Sequence, residues 1–162
     1  DAVLARGMTA FVKARCSQCH VVAGHGVNLG PDLTESVKKL KGVDLLRQIL
    51  EPSHTIHEKF QNQQFLTSEG RIITGVVVKE EAEVVHVATN LLTPNSLTQI
   101  RKQDIEERIS SKISPMPTGL VNGLTREEIL DLHAFVEAGG YELPEHLQHR
   151  HGHGGHQGHS HD

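Results

Sequence analysis

The 162-residue chain has no tryptophan, one tyrosine and four phenylalanines. That is a thin supply of large apolar side chains for a core at this length. A bulky apolar cofactor buried in the middle would make up part of the shortfall. Cysteine is scarce as well, with two in all, which excludes a zinc site built from four cysteines. No run is long and apolar enough to cross a bilayer as a helix. Positive charge is in deficit: 16 Lys and Arg stand against 20 Asp and Glu, a net charge of −4 that argues against a general nucleic-acid binder. The first residues lack the pattern of a signal peptide and the chain begins at Asp1, so a processed product or an excised domain is expected.

What is present divides into helical ends around a different middle. Residues 2–15 place Ala2, Val3, Leu4, Met8, Phe11 and Val12 near helical spacing, with Gly7 inside. Gly7 weakens that helix by roughly 1 kcal/mol relative to Ala and makes sense if another helix crosses closely. Residues 21–42 are glycine-rich and read as loop. A short amphipathic helix is predicted over 43–51, stopped by Pro52. Strands are predicted over 60–67 and 71–78 about the turn Ser68-Glu69-Gly70, then over 83–89 and 97–100. This antiparallel β unit occupies about 60–109. The last helix, over 125–138, is the best marked. Thr125 and Glu128 form a capping box, Leu124 and Ile129 a hydrophobic staple, and Gly139-Gly140 ends it. After Pro144 the chain is low in complexity and rich in His, Gly, Gln and Ser.

The chemistry sits in Cys16-Ser17-Gln18-Cys19-His20, which has the C-x-x-C-H spacing of c-type haem attachment. Two thiols add to the two vinyl groups on one porphyrin edge, and the next residue must swing an imidazole under the iron. His20 fills that role, and its other ring nitrogen needs an acceptor to fix the tautomer. The competing readings are a redox dithiol, half a zinc site and a structural disulfide. A redox dithiol is expected after a strand in a βαβ unit, whereas this motif follows a helix.

An electron-transfer site needs a second ligand, commonly Met or His. Met8 is too close to the attachment site to reach the opposite haem face. Met116 lies in Ser114-Pro115-Met116-Pro117, where two prolines fix the backbone and hold the thioether without secondary structure. Met116 is therefore the candidate sixth ligand, and the alternative is a loop methionine filling a gap. His25, His54, His57, His86 and His133 compete. Of these, His133 reads as a packed, hydrogen-bonded core residue, and His54 or His57 is the best alternative.

With these residues placed, the chain resembles class I cytochromes c. Gly7-x-x-x-Phe11 is similar to the glycine and aromatic of their first helix, which crosses the last helix where Phe135 lies. Asn28-Leu29-Gly30-Pro31-Asp32-Leu33 is similar to their loop after the attachment site. The resemblance implies that the Pro31 carbonyl accepts a hydrogen bond from the His20 ring. LLRQILEPS, TSEGRIITG, QDIEER and MPTGLVNGLTREEILDLHAFV resemble more specifically a haem-binding cytochrome c domain of planctomycete and verrucomicrobial type, over about residues 4–138. That domain carries a β insert between the middle helix and the methionine loop. The implied fold is mainly α: a class I cytochrome c fold with an inserted small antiparallel β unit. Residues 1–143 would be the cytochrome domain and 144–162 a flexible tail. The resemblance also implies a module of a larger oxidoreductase, maturation in the bacterial periplasm or another extracytoplasmic space, and redox-protein partners.

The expected function is thus a monohaem c-type cytochrome that transfers electrons, with one covalent haem c, His20 and Met116 as iron ligands, and no catalytic residues. Two other classes stay open. One is a haem enzyme or gas sensor with a displaceable sixth ligand. The other is a metal-handling protein that uses the tail. There His146, His149, His151, His153, His156, His159 and His161 are irregularly spaced, a pattern suited to labile Cu²⁺, Zn²⁺ or Ni²⁺. Lys13, Arg15, Lys38, Lys39 and Lys41 cluster in sequence about the attachment motif and read as a solvated surface in preference to a docking patch.

Overall fold

In the computed structural model the described residues are 2–91, 93 and 95–140. Helix α1 (Ala2–Lys13) buries Gly7, Ala10 and Phe11, three positions on one face. Helix α4 (Arg126–Glu137) buries Leu132, Phe135 and Val136 against it. The crossing is tight at Gly7. A Cβ there would lie 2.2 Å from the Asp131 carbonyl oxygen and 2.5 Å from the Phe135 Cβ, so only glycine allows this approach. Phe11 and Phe135 stack beside it in a tilted arrangement, ring centroids 5.5 Å apart. Arg6–Asp131 (2.6 Å) and Lys13–Glu128 (2.7 Å) bridge the same two helices at the surface, where ion pairs add little. Thr125 and Glu128 make both halves of the capping box, and Leu124 and Ile129 pack on the core beside it.

Two shorter helices complete this layer. Asp32 caps α2 (Leu33–Ser36) by accepting from the Thr34 N–H. Helix α3 (Gly42–Leu50) buries Leu45, one turn in from its start. Gly42, at φ +57°, is held from both sides by α4: its N–H donates to the Glu137 carboxylate at 2.6 Å, and its carbonyl accepts from His133 Nε2 at 2.8 Å. His133 is thus a hydrogen-bonded tie between helices.

The middle of the chain corrects the expected fold class. Among the described residues there are four α-helices and seven strands in two antiparallel sheets, with 34% helix and 26% strand. The molecule is therefore not mainly α. Strands β1 (Val21–Val22) and β2 (His25–Gly26) form a small hairpin in the loop after the attachment motif. The larger sheet holds β3 (Asn62–Thr67), β4 (Ile72–Glu80), β5 (Val84–Ala88), β6 (Leu97–Arg101) and β7 (Ile105–Ser110), in the spatial order β6-β5-β4-β3-β7. Strand β7 has no counterpart in the sequence reading. Its only partly buried residue is Ile105, and Glu106 to Ser110 are exposed, so the period-2 pattern that marks a half-buried strand is absent.

This order has a geometric consequence. Strands β6 and β7 are the two edges of the sheet, yet only Lys102–Asp104 separates them in the chain. Four strand spacings in a flat sheet come to about 19 Å, whereas four extended residues reach about 14 Å at most. The sheet must coil until its edges come within that reach at one end, as a half-closed barrel. The 3₁₀ turn at Lys102–Asp104 is tied down across that end. The Lys102 N–H donates to the Glu83 carbonyl (2.8 Å), and the Asp104 carbonyl accepts from the Ser68 N–H (2.9 Å). Phe65, Val85, Val87 and Ile100 fill the interior, with Ile73, Val77 and Ile105 packed on them. This core shares no residue with the helical core.

Candidate functional site

Arg15, at φ 62°, takes the chain out of α1 in a left-handed conformation that costs a non-glycine residue about 1 kcal/mol. The sharp exit delivers Cys16–Gln18 as a 3₁₀ turn, closed by bonds from the Cys19 and His20 N–H groups to the Cys16 carbonyl (3.1 and 2.9 Å). Cys16 and Cys19 are both free and half-buried, and Cys16 rests on the helical core. The following loop wraps the motif. The Val27 N–H bonds the Ser17 carbonyl (3.1 Å), and the Leu29 and Gly30 N–H groups both bond the Cys19 carbonyl (3.1 and 2.7 Å). Its tip is a two-residue turn with Ala23 at φ 48° and Gly24 at φ 77°, the mirror-image type that suits a twisted hairpin.

His20 is held by this loop. Its Nδ1 lies 2.8 Å from the Pro31 carbonyl oxygen, which can only accept, so Nδ1 carries the proton. The lone pair is then on Nε2, which makes no hydrogen bond among the described residues. Gly30 lies against the ring: a Cβ there would be 2.8 Å from His20 Cε1 and 3.0 Å from Nδ1. Ring plane, tautomer and the direction of the free lone pair are thereby fixed.

The electrostatics separate the competing readings. Burial pushes the Cys16 thiol up to about 11 and raises the Cys19 thiol as well. Redox dithiols need the opposite shift. Burial lowers the His20 pKa against the opposing effect of the Pro31 bond, which keeps the imidazole neutral and able to act as a ligand. No group of three or more His, Cys, Asp or Glu suited to a metal ion occurs among the described residues, so half a zinc site finds no other half there.

Residues 4–74 match the family model for cytochrome c. Over that stretch, somewhat under half of its length, the chain is similar to cytochrome c. No curated protein matches the chain significantly. The match takes in α1, the Cys16–His20 motif, the Pro31 loop, α3 and β3, and it ends within β4. Met116 and α4 lie beyond it. Cytochrome c domains hold haem c through two thioethers, and the residues here fit that group: two neutral thiols on one turn, followed by an oriented imidazole with a free lone pair. Cys16 and Cys19 would make the thioethers, and His20 would ligate the iron.

The structure places Cys16, Cys19, His20 and Pro31 together. Met116 is half-buried on a different segment, the loop between β7 and α4. Several competing histidines are engaged elsewhere. His54 Nε2 accepts from Arg47 (3.2 Å), His57 Nδ1 accepts from the Lys59 N–H (3.2 Å), His86 pairs with Glu81 (2.9 Å) and His133 binds Gly42. His25 is exposed on β2. Of the basic cluster, Lys13 and Lys38 are paired with Glu128 and Glu35. The tail histidines, His146 to His161, lie outside the described residues. Sequence reasoning missed Gly30 as the wall behind the His20 ring, Ser114 as acceptor for the Met116 N–H, and Ser53 as acceptor for the Ser114 N–H. A serine two residues before a methionine, with proline between, is a local turn signal that could have found Ser114.

Proposed function

We propose that this protein is a monohaem electron carrier with His20 and Met116 as axial ligands. The observation that carries the reading is the His20 ring, neutral, locked at Nδ1 by Pro31 and free at Nε2. Bound haem supplies a one-electron Fe(III)/Fe(II) couple whose potential depends on axial ligand, burial and hydrogen bonding. The chain's own part is to hold both ligands in place in either oxidation state. Met116 is the choice for the second ligand because the other methionine, Met8, packs against the helical core. A thioether opposite imidazole favours a higher potential than two imidazoles. No helix of the described residues is long and apolar enough to cross a membrane.

The remaining features extend this reading. The barrel between α3 and the Met116 loop supports membership of the cytochrome c subtype with a β insert, acting as a module of a larger extracytoplasmic oxidoreductase and exchanging electrons with redox proteins. The histidines of the tail favour, by composition alone, labile binding of Cu²⁺, Zn²⁺ or Ni²⁺. Calorimetric titration with each ion, with and without residues 144–162, tests that part. For the main reading, the oxidised and reduced visible spectra of the holoprotein and of Met116→Ala decide. The variant loses the weak far-red band of Met–Fe(III) ligation and binds carbon monoxide rapidly when reduced. Unchanged spectra would remove Met116 as ligand, and rapid carbon monoxide binding by the unaltered protein would point to an enzyme or sensor.

A further inference from the structure

We infer that Ser53 is a positioning residue for the sixth iron ligand, acting as a clasp across the neck of the barrel. The inference rests on the reading of Met116 as that ligand. The Ser114-Pro115-Met116-Pro117 segment has two backbone N–H groups, because its prolines have none. Both are taken by serine hydroxyls. The Met116 N–H donates to Ser114 Oγ at 3.1 Å, and the Ser114 N–H donates to Ser53 Oγ at 3.0 Å. The first bond is a local turn. The second joins the loop after α3 to the loop before α4, at sites that bracket the whole barrel from Asn62 to Ser110.

The topology makes that bond consequential. Without the barrel, the methionine loop would follow α3 directly and its position would be set by chain length. With the barrel inserted, the segment bearing Met116 leaves β7, whose last residues are exposed. Ser53 returns that segment to the helical layer: it follows Pro52, which is buried directly after α3. A second tie at the neck, Gln61 Nε2 to the Ser111 carbonyl at 2.9 Å, holds the barrel's own entry and exit. The ties divide the work: Gln61, beside a bond from the Ser111 N–H to the Asn62 carbonyl (2.8 Å), closes the barrel, and Ser53 sets where the chain goes next. Ser53 is exposed, so its replacement removes the bond without opening a cavity.

The test is cyanide capture by the ferric holoprotein at saturating cyanide, where the rate reports release of the sixth ligand. Ser53→Ala is expected to keep full haem content and the far-red Met–Fe(III) band, and to capture cyanide roughly three- to tenfold faster, the loss of one hydrogen bond. Ser53→Thr, which keeps the hydroxyl, should stay within about twofold of the parent. Ser114→Ala should also accelerate capture. Gln61→Ala, which alters only the barrel tie, should not. An unchanged rate in Ser53→Ala overturns the clasp. Equal acceleration by Gln61→Ala overturns it too, because the effect would then be general loosening of the neck. If Met116→Ala retains the far-red band, the ligand assignment fails and the clasp with it. If that band is lost and Ser53→Ala still behaves as the parent, only the clasp fails.

Discussion

At the scale of single residues, the neighbours of the Cys16–His20 motif leave His20 one orientation. The Pro31 carbonyl accepts a hydrogen bond from the His20 Nδ1–H, and Gly30 supplies the flat wall behind the ring. Gly30→Ala places a methyl 2.8 Å from His20 Cε1, so ring or loop must move. Overpacking of this kind costs roughly 1–3 kcal/mol. The expected outcome is lower stability together with a shifted ferric spectrum, read by denaturant titration of the holoprotein and by visible absorption. A stability loss with an unaltered spectrum would mean that the strain is relieved away from His20. Much of this site was legible in the sequence. The Cys16 to His20 spacing is written in five consecutive residues, and Pro31 follows from the loop it resembles. Gly30 and Ser53 were not legible, since their roles depend on what lies across from them and no local pattern encodes that.

At the scale of elements, the α1–α4 crossing builds the core on which Cys16 rests, and its surface clamp gives it a pH dependence. The Lys13 ammonium beside Glu128, and then the capping bond at Thr125, hold the Glu128 carboxyl below its ordinary value of 4.5. A carboxylate depressed in the folded state stabilises fully above its unfolded pKa, and that stabilisation is lost as pH falls through the folded value. Stability should therefore be level in this respect above about pH 5 and decline below about 4.5. Glu128→Gln should flatten that part of the acid limb, measured as urea midpoints at pH 6 and pH 3. An identical acid limb in the variant would remove Glu128 from the account. These two helices were readable from Gly7, Phe11 and the Thr125–Glu128 box, because capping and close approach leave local marks. Strand β7 left none. It is a strand because β3 offers it an edge, with Gln64 opposite Ile109 and Phe65 opposite Arg108, and pairing of that kind is not written within six residues.

At the scale of the whole molecule, the chain builds two cores where the composition suggested scarcely enough for one. The helical layer closes around the haem motif, and the barrel closes around Phe65, Val85, Val87 and Ile100. The fold class was misjudged because the β unit was weighed as an accessory. It is a coiled sheet of five strands with its own interior. Since the two cores share no residue, damage to one should not be read in the other. Phe65 is fully buried, and Phe65→Ala should cost about 3–5 kcal/mol of stability while leaving the visible spectrum of the folded holoprotein as it was. A spectral change would show the barrel setting the haem environment directly. The proposal that organises this molecule is covalent attachment of haem c by Cys16 and Cys19, with His20 as ligand. It is tested most directly by expressing the chain with a c-type maturation system, extracting it with acidified acetone, and measuring the haem that stays on the polypeptide. One haem per chain is expected to be retained, and to be lost from a Cys16→Ala, Cys19→Ala double variant. Haem that extracts freely from the parent chain, or a double variant that retains it, would rule out thioether attachment at these cysteines.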